Sequence, residues 1–61
     1  MTTVATAYGN WWLLSGSGTQ VATWLGKNDI PLSRVILVFN DTNQKWEGLV
    51  RYTKTGISGD I

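Results

Sequence analysis

The side chains that most often carry out chemistry are missing or scattered in this chain of 61 residues: histidine and cysteine are absent, and there are only four acids. Without His or Cys, the usual general base, thiol nucleophile and zinc ligands are gone. A hydrolase would need paired carboxylates. Asp29, Asp41 and Asp60 instead fall in turn-like sequence, where carboxylates accept local hydrogen bonds. Neither "KNDIP" nor "FNDTNQ" offers the several oxygens that calcium wants in one loop. "SGSG" reads as a flexible link and not as a phosphate loop, since no Lys follows it and no helix is expected to begin there. The expectation is a non-catalytic protein without metal or cofactor. What the chain has in quantity is indole: of its four tryptophans, Trp11, Trp12 and Trp24 crowd one stretch and Trp46 follows a polar segment. An indole can fill a core, sit at a subunit interface, or offer a flat apolar face to a ligand.

The charge balance narrows the partners. A net charge of +1 from five basic and four acidic residues is far from the basic patch that neutralising several phosphates requires, so nucleic acid is an unlikely partner. The apolar runs "WWLL" and "VILVF" are too short to cross a bilayer, and "MTTVATAY" lacks the basic start and apolar core of a signal peptide. The chain is expected to be soluble, and either mature or cytosolic. One domain over residues 1–61 buries only about 60% of its unfolded surface, which leaves a lone core marginal. With no disulfide or metal to add, association with other chains is the remaining staple.

The elements that must position any site read as strands. Val, Ile, Thr, Trp and Tyr are frequent, and no stretch is read as having the apolar spacing of a helix. Strands are predicted over 3–8, 20–25, 34–39 and 46–53, with "NWWLL" as a fifth segment or an apolar arm; no helix is predicted. In the last strand Trp46, Gly48, Val50 and Tyr52 share one face while Glu47, Leu49, Arg51 and Thr53 share the other. "RVILVF" is apolar on both faces, as a central strand covered on both sides would be. Such a sheet has nothing of its own to cover a second face, which implies either a closed barrel or a neighbouring subunit. A weak repeat, "VATAYGNWW" and "GLVRYTKTG", sets Tyr8 and Tyr52 44 residues apart, inside the ~40 to 50 residue period of propeller blades.

The order "WLLSG", "TQVATW", "SRVILVFNDTNQ" and "WEGLVRY" resembles a blade of the small β-propeller lectins of fungi and bacteria, over about residues 8–53. The resemblance implies an all-β fold, a four-stranded antiparallel sheet like one blade, with several copies forming a homo-oligomeric ring. It also implies a site for fucose or a related monosaccharide built from an Arg, a Glu and an aromatic ring. Arg34 and Glu47 match the first two, and Trp24, Trp46, Trp11 or Trp12 would supply the ring. The chemistry suits a pyranose: guanidinium and carboxylate give planar donors and acceptors to vicinal hydroxyls, and an indole packs on the apolar face of the sugar.

The hairpin register decides whether that pair forms. A two-residue turn at Asn40 and Asp41 sets Val35 against Trp46 and Arg34 against Glu47. A longer loop sets Phe39 against Trp46, Ile36 against Leu49 and Val35 against Val50, a better apolar match, but brings Arg34 to Arg51. Both registers stay open at this level. The plainer reading of Arg34 and Glu47 is a surface ion pair worth ~0 to 1 kcal/mol. Trp24 reads as core; of Trp11 and Trp12, one reads as core and the other as interface or sugar platform; Trp46 is the best exposed candidate. The rival to a lectin-like homo-oligomer is a small closed β-barrel of SH3-like type that binds a protein or single-stranded nucleic acid through exposed Trp and Tyr. A purely structural assembly unit is the third reading.

Overall fold

The computed structural model describes residues 2–52 and 56–61. Its elements are β1 (Ala5–Tyr8), β2 (Trp11–Gly16), α1 (Gly18–Lys27), a short 3-10 helix (Leu32–Arg34), β3 (Val35–Asn40) and β4 (Lys45–Arg51). The four strands form one antiparallel open sheet in the order β1-β2-β4-β3. The protein is thus mostly strand, with one helix. The four-stranded antiparallel sheet is as expected; it is open, with two edges, and so is not a closed barrel.

The helix is the main correction to the sequence reading, which took 20–25 as a strand and "SGSG" as a link. Ser17 is the N-cap of α1. Its hydroxyl accepts from the backbone N–H of Gln20 at 3.2 Å, and the Gln20 side-chain oxygen accepts from the backbone N–H of Ser17 at 3.1 Å. This capping box satisfies two donors that a helix start otherwise leaves open. The other end closes in a Schellman pattern: Ile30 N–H donates to Leu25 O at 3.1 Å and Asp29 N–H to Gly26 O at 3.3 Å, with Asp29 at φ 53°. Pro31 follows and cannot continue the helix. Val21, Trp24 and Leu25 fall at i, i+3 and i+4, so one helix face packs apolar groups onto the sheet. Gly, Thr, Val and Trp are poor helix formers, and here the caps and packing outweigh their propensity.

α1 covers the face of the sheet that carries Leu14 and Val50, with Trp12 at the margin. The core is Val4, Ala5, Leu14, Val21, Trp24, Ile30 and Val50, rimmed by half-buried side chains that include Val35, Tyr52 and Ile57. The chain therefore supplies its own cover for one face, contrary to expectation, and leaves the other open. The strands β2 and β4 are central. β3, expected to be covered on both faces, is an edge strand whose Ile36, Leu37, Val38 and Phe39 are all exposed. Gly48 helps to explain why β4 takes the inner place: a Cβ there would run into the Ile36 carbonyl and the Leu37 side chain. The missing side chain lets β3 lie close against β4.

Both hairpins are set by their turns. β1 and β2 join through Gly9 and Asn10, with Tyr8 opposite Trp11 and Gly9 at φ 61°, where a two-residue loop of the II′ kind needs glycine. β3 and β4 take the longer loop: Asn40 pairs with Lys45 and Phe39 with Trp46. Within it, Asn40 Oδ1 accepts from Thr42 N–H at 2.9 Å and Asn43 Oδ1 from Lys45 N–H at 3.2 Å. The outer edge of β1 is partly covered by the C-terminal segment, where Gly59 O accepts from Val4 and Ala5 N–H at 2.8 and 3.0 Å. Thr3, expected to open the first strand, makes an isolated bridge to Asp60 instead. Thr53, expected to end the last, lies outside the described residues. Tyr8 and Tyr52, the markers of the weak repeat, sit on unlike elements of one sheet: Tyr8 is exposed on β1, and Tyr52 packs at the core margin after β4.

Candidate functional site

The residues singled out from the sequence separate into four places. Trp24 is fully buried on α1, and its indole N–H donates to Ser58 O at 2.7 Å. Trp12 packs beside it with ring centroids 5.9 Å apart and planes tilted by 52°. Both indoles are part of the core and its rim, in the fold of this single chain.

Trp46 lies on the helix side of the sheet, beside the N-terminal end of α1. It meets Phe39 edge-on at 5.3 Å, and its indole nitrogen would stand 3.2 Å from a Cβ at Gly18, so the glycine opens room for it. Val21, Ala22 and Leu25 of α1 together with Leu37 and Trp46 line an apolar groove of about 260 Å³. That groove exists only because residues 18–27 are helical.

Glu47 points to the open face, where its carboxylate accepts from Asn40 Nδ2 at 3.0 Å and its cross-strand partner is Val38. Arg34 precedes β3 by one residue. At about 3.4 Å per residue the four positions from Arg34 to Val38 put it roughly 14 Å along the sheet from Glu47. The observed register therefore does not bring Arg34 and Glu47 opposite each other.

Arg34 instead lines a cleft together with Arg51. Among the described residues, Asn10, Arg34, Arg51 and Tyr52 line a cleft of about 280 Å³ at one end of the sheet. Each is placed by a different device: Asn10 by the β1–β2 turn, Arg34 by the 3-10 helix, Arg51 by the end of β4, and Tyr52 by its contact with the core margin. The Arg51 guanidinium lies 5.7 Å over the Trp11 ring, which is partly exposed on the open face. The distance is within cation–π range. None of the four lining side chains is acidic. The cleft offers two guanidiniums, an amide and a phenol beside an indole, a donor-rich set suited to oxygen-bearing anions.

Asn10, Arg51 and Tyr52 were missed as site residues. The sequence carried the clue for Arg51, because the register with the better apolar match already placed it against Arg34. Asn10 and Tyr52 gave none, since their approach to the arginines depends on β2 pairing with β4 across the intervening helix. No three acidic groups gather into a cation site among the described residues. No helix there is long and apolar enough to cross a membrane. No known protein family, curated protein or solved structure matches this chain.

Proposed function

We propose that the protein is a non-catalytic carbohydrate-binding module whose site is the cleft at Arg34 and Arg51. The observation that carries this reading is that Arg34, Arg51, Asn10 and Tyr52 line one cleft, with no acid among the described lining residues. Arg34 keeps the role the lectin resemblance gave it, Arg51 stands where Glu47 was expected, and Tyr52, which lines the cleft, supplies the ring. Two cations without a carboxylate favour an acidic sugar over a neutral one. A cleft of about 280 Å³ has the size for one ring and not for an extended chain, near the lower end of the ~300 to 1,000 Å³ of ligand pockets. Trp46 and Glu47 stand outside the cleft in this reading, and Trp12 and Trp24 serve the fold.

Assembly of identical chains, the closed ring included, would present the cleft several times and raise avidity. Support for association comes from the apolar open face and from the uncovered edge strand β3. Titration calorimetry of the purified protein with fucose, mannose, galactose, galacturonate and N-acetylneuraminate tests the sugar reading. The expected result is heat with the acidic sugars, weakened about 10- to 100-fold by Arg34→Ala, as for loss of a hydrogen bond to a charged group. Absence of heat with every sugar would overturn the reading.

One observation favours a second reading. Tyr8 and Trp11 are cross-strand partners on the open face, with Arg51 beside the indole, which is the make-up of a stacking platform for single-stranded nucleic acid. Binding of an oligonucleotide that falls steeply with salt would select it, because counterion release gives that slope.

A further inference from the structure

We infer that the open face of the sheet is an interface for a second copy of this chain, related by a two-fold axis that runs along the Leu13–Leu49–Ile36 row. This takes from the preceding reading only that copies associate; it does not depend on any sugar. The register sets Leu13 opposite Leu49 and Ile36 opposite Leu49, so the three form one apolar row across β2, β4 and β3. On one side of that row lie Trp11 and Arg51, which are cross-strand partners, and on the other lie Ser15 and Glu47, which are also partners.

A two-fold axis along the apolar row carries the first side of one copy onto the second side of the other. Arg51 then faces Glu47 of the second copy, twice per dimer, and Trp11 stands over the small Ser15. Opposite charges meet, and a large ring meets a small side chain. Residues 47 and 51 lie equally far from Leu49 along β4, about 7 Å each way, so both pairs form with no sliding of one sheet over the other. Facing sheets pack about 10 Å apart, a gap that an arginine and a glutamate span together. Arg51 has five N–H donors, more than one carboxylate uses.

The area is sufficient. Tyr8, Trp11, Leu13, Ile36, Val38 and Leu49 are 62, 38, 42, 62, 59 and 40% exposed. Together they leave roughly 600 Å² open, at the top of the ~300 to 600 Å² found for the largest apolar patch on a typical monomer. The polar groups of the same face add to it, toward the ~800 Å² per partner of a standard stable interface. The charge layout also selects a dimer over a ring. A ring needs two unlike patches that meet head to tail, whereas a face whose two halves complement each other closes on itself.

Sedimentation equilibrium of the full chain across the micromolar range is the test, with circular dichroism to verify folding. The expected mass is that of two chains. Glu47→Arg and Arg51→Glu should each weaken the dimer by at least about tenfold, the order measured for close interfacial charge pairs, and the combined E47R/R51E swap should restore it. Leu49→Lys should give a folded monomer; the two charge variants carry the test should that variant fail to fold. A wild-type monomer, a larger ring, or a dimer indifferent to Leu49→Lys would overturn the inference. So would a charge swap that fails to rescue. Loss of sugar heat with an intact dimer would bear on the cleft alone.

Discussion

Replacing Trp24 with phenylalanine tests whether one buried indole joins the helix, the sheet and the C-terminal segment. Trp24 has no exposed surface, and its N–H reaches Ser58 O at 2.7 Å. Phenylalanine keeps an aromatic ring but removes this donor and leaves a gap. A partly buried carbonyl deprived of its partner costs about 1 to 3 kcal/mol. The missing ring volume, roughly 40 Å³ at ~24 cal/mol per Å³, adds about 1 kcal/mol. The expected loss is therefore about 2 to 4 kcal/mol. A domain of this length has on the order of 3 to 9 kcal/mol in all, so the variant should sit close to its unfolding midpoint. Chemical denaturation gives the loss directly, and amide exchange gives its location. Val4 and Ala5 donate to Gly59 O, one residue beyond Ser58, so their amides should lose protection first if the indole holds that segment. Trp46→Phe is the control, since that indole is partly exposed and serves a groove. If Trp24→Phe costs no more than Trp46→Phe, or if Val4 and Ala5 keep their protection, the reasoning is refuted.

Two further substitutions separate the observed packing from the one the sequence implied. Leu14→Ala should cost about 2 to 5 kcal/mol, because its fully buried side chain sits across from Ala5 and Gly48, neither of which can fill the gap. Leu37→Ala, on the edge strand and 37% exposed, should cost less than half as much in the same denaturation experiment; equal losses would restore β3 to the core. Ser17→Ala should cost about 1 kcal/mol by removing half of the capping box, and an unchanged denaturation midpoint would mean that packing alone fixes the start of α1.

Strand sequence was legible where alternation and turn chemistry agreed. "WEGLVR" alternates between an inward face with Val50 and an open face with Leu49, and the sheet uses it that way. The helix was illegible to composition because its residues favour strands. Its signature is positional: Ser17 and Gln20 at capping-box spacing, then Val21, Trp24 and Leu25 on one face. Frequency counts lose that information. β3 misled for the opposite reason. A run apolar on both faces is expected at the centre of a sheet, and here it is an edge. In the single chain Ile36, Leu37, Val38 and Phe39 of that run stay exposed.

The same point explains how much of the site could be read. The apolar match of Ile36 with Leu49 and Val35 with Val50 outweighs a like-charge contact at the strand end, since burial of several large side chains exceeds the few tenths to ~1 kcal/mol that such a contact costs. Once that register is taken, Arg34 is carried away from Glu47 and toward Arg51. Glu47, freed from Arg34, remains on the open face four residues from Arg51 along β4. The β3–β4 register therefore creates the cationic cleft but not the charge pattern of the open face, which Glu47 and Arg51 carry on β4 itself, so a substitution that shifted the hairpin would remove the first and spare the second.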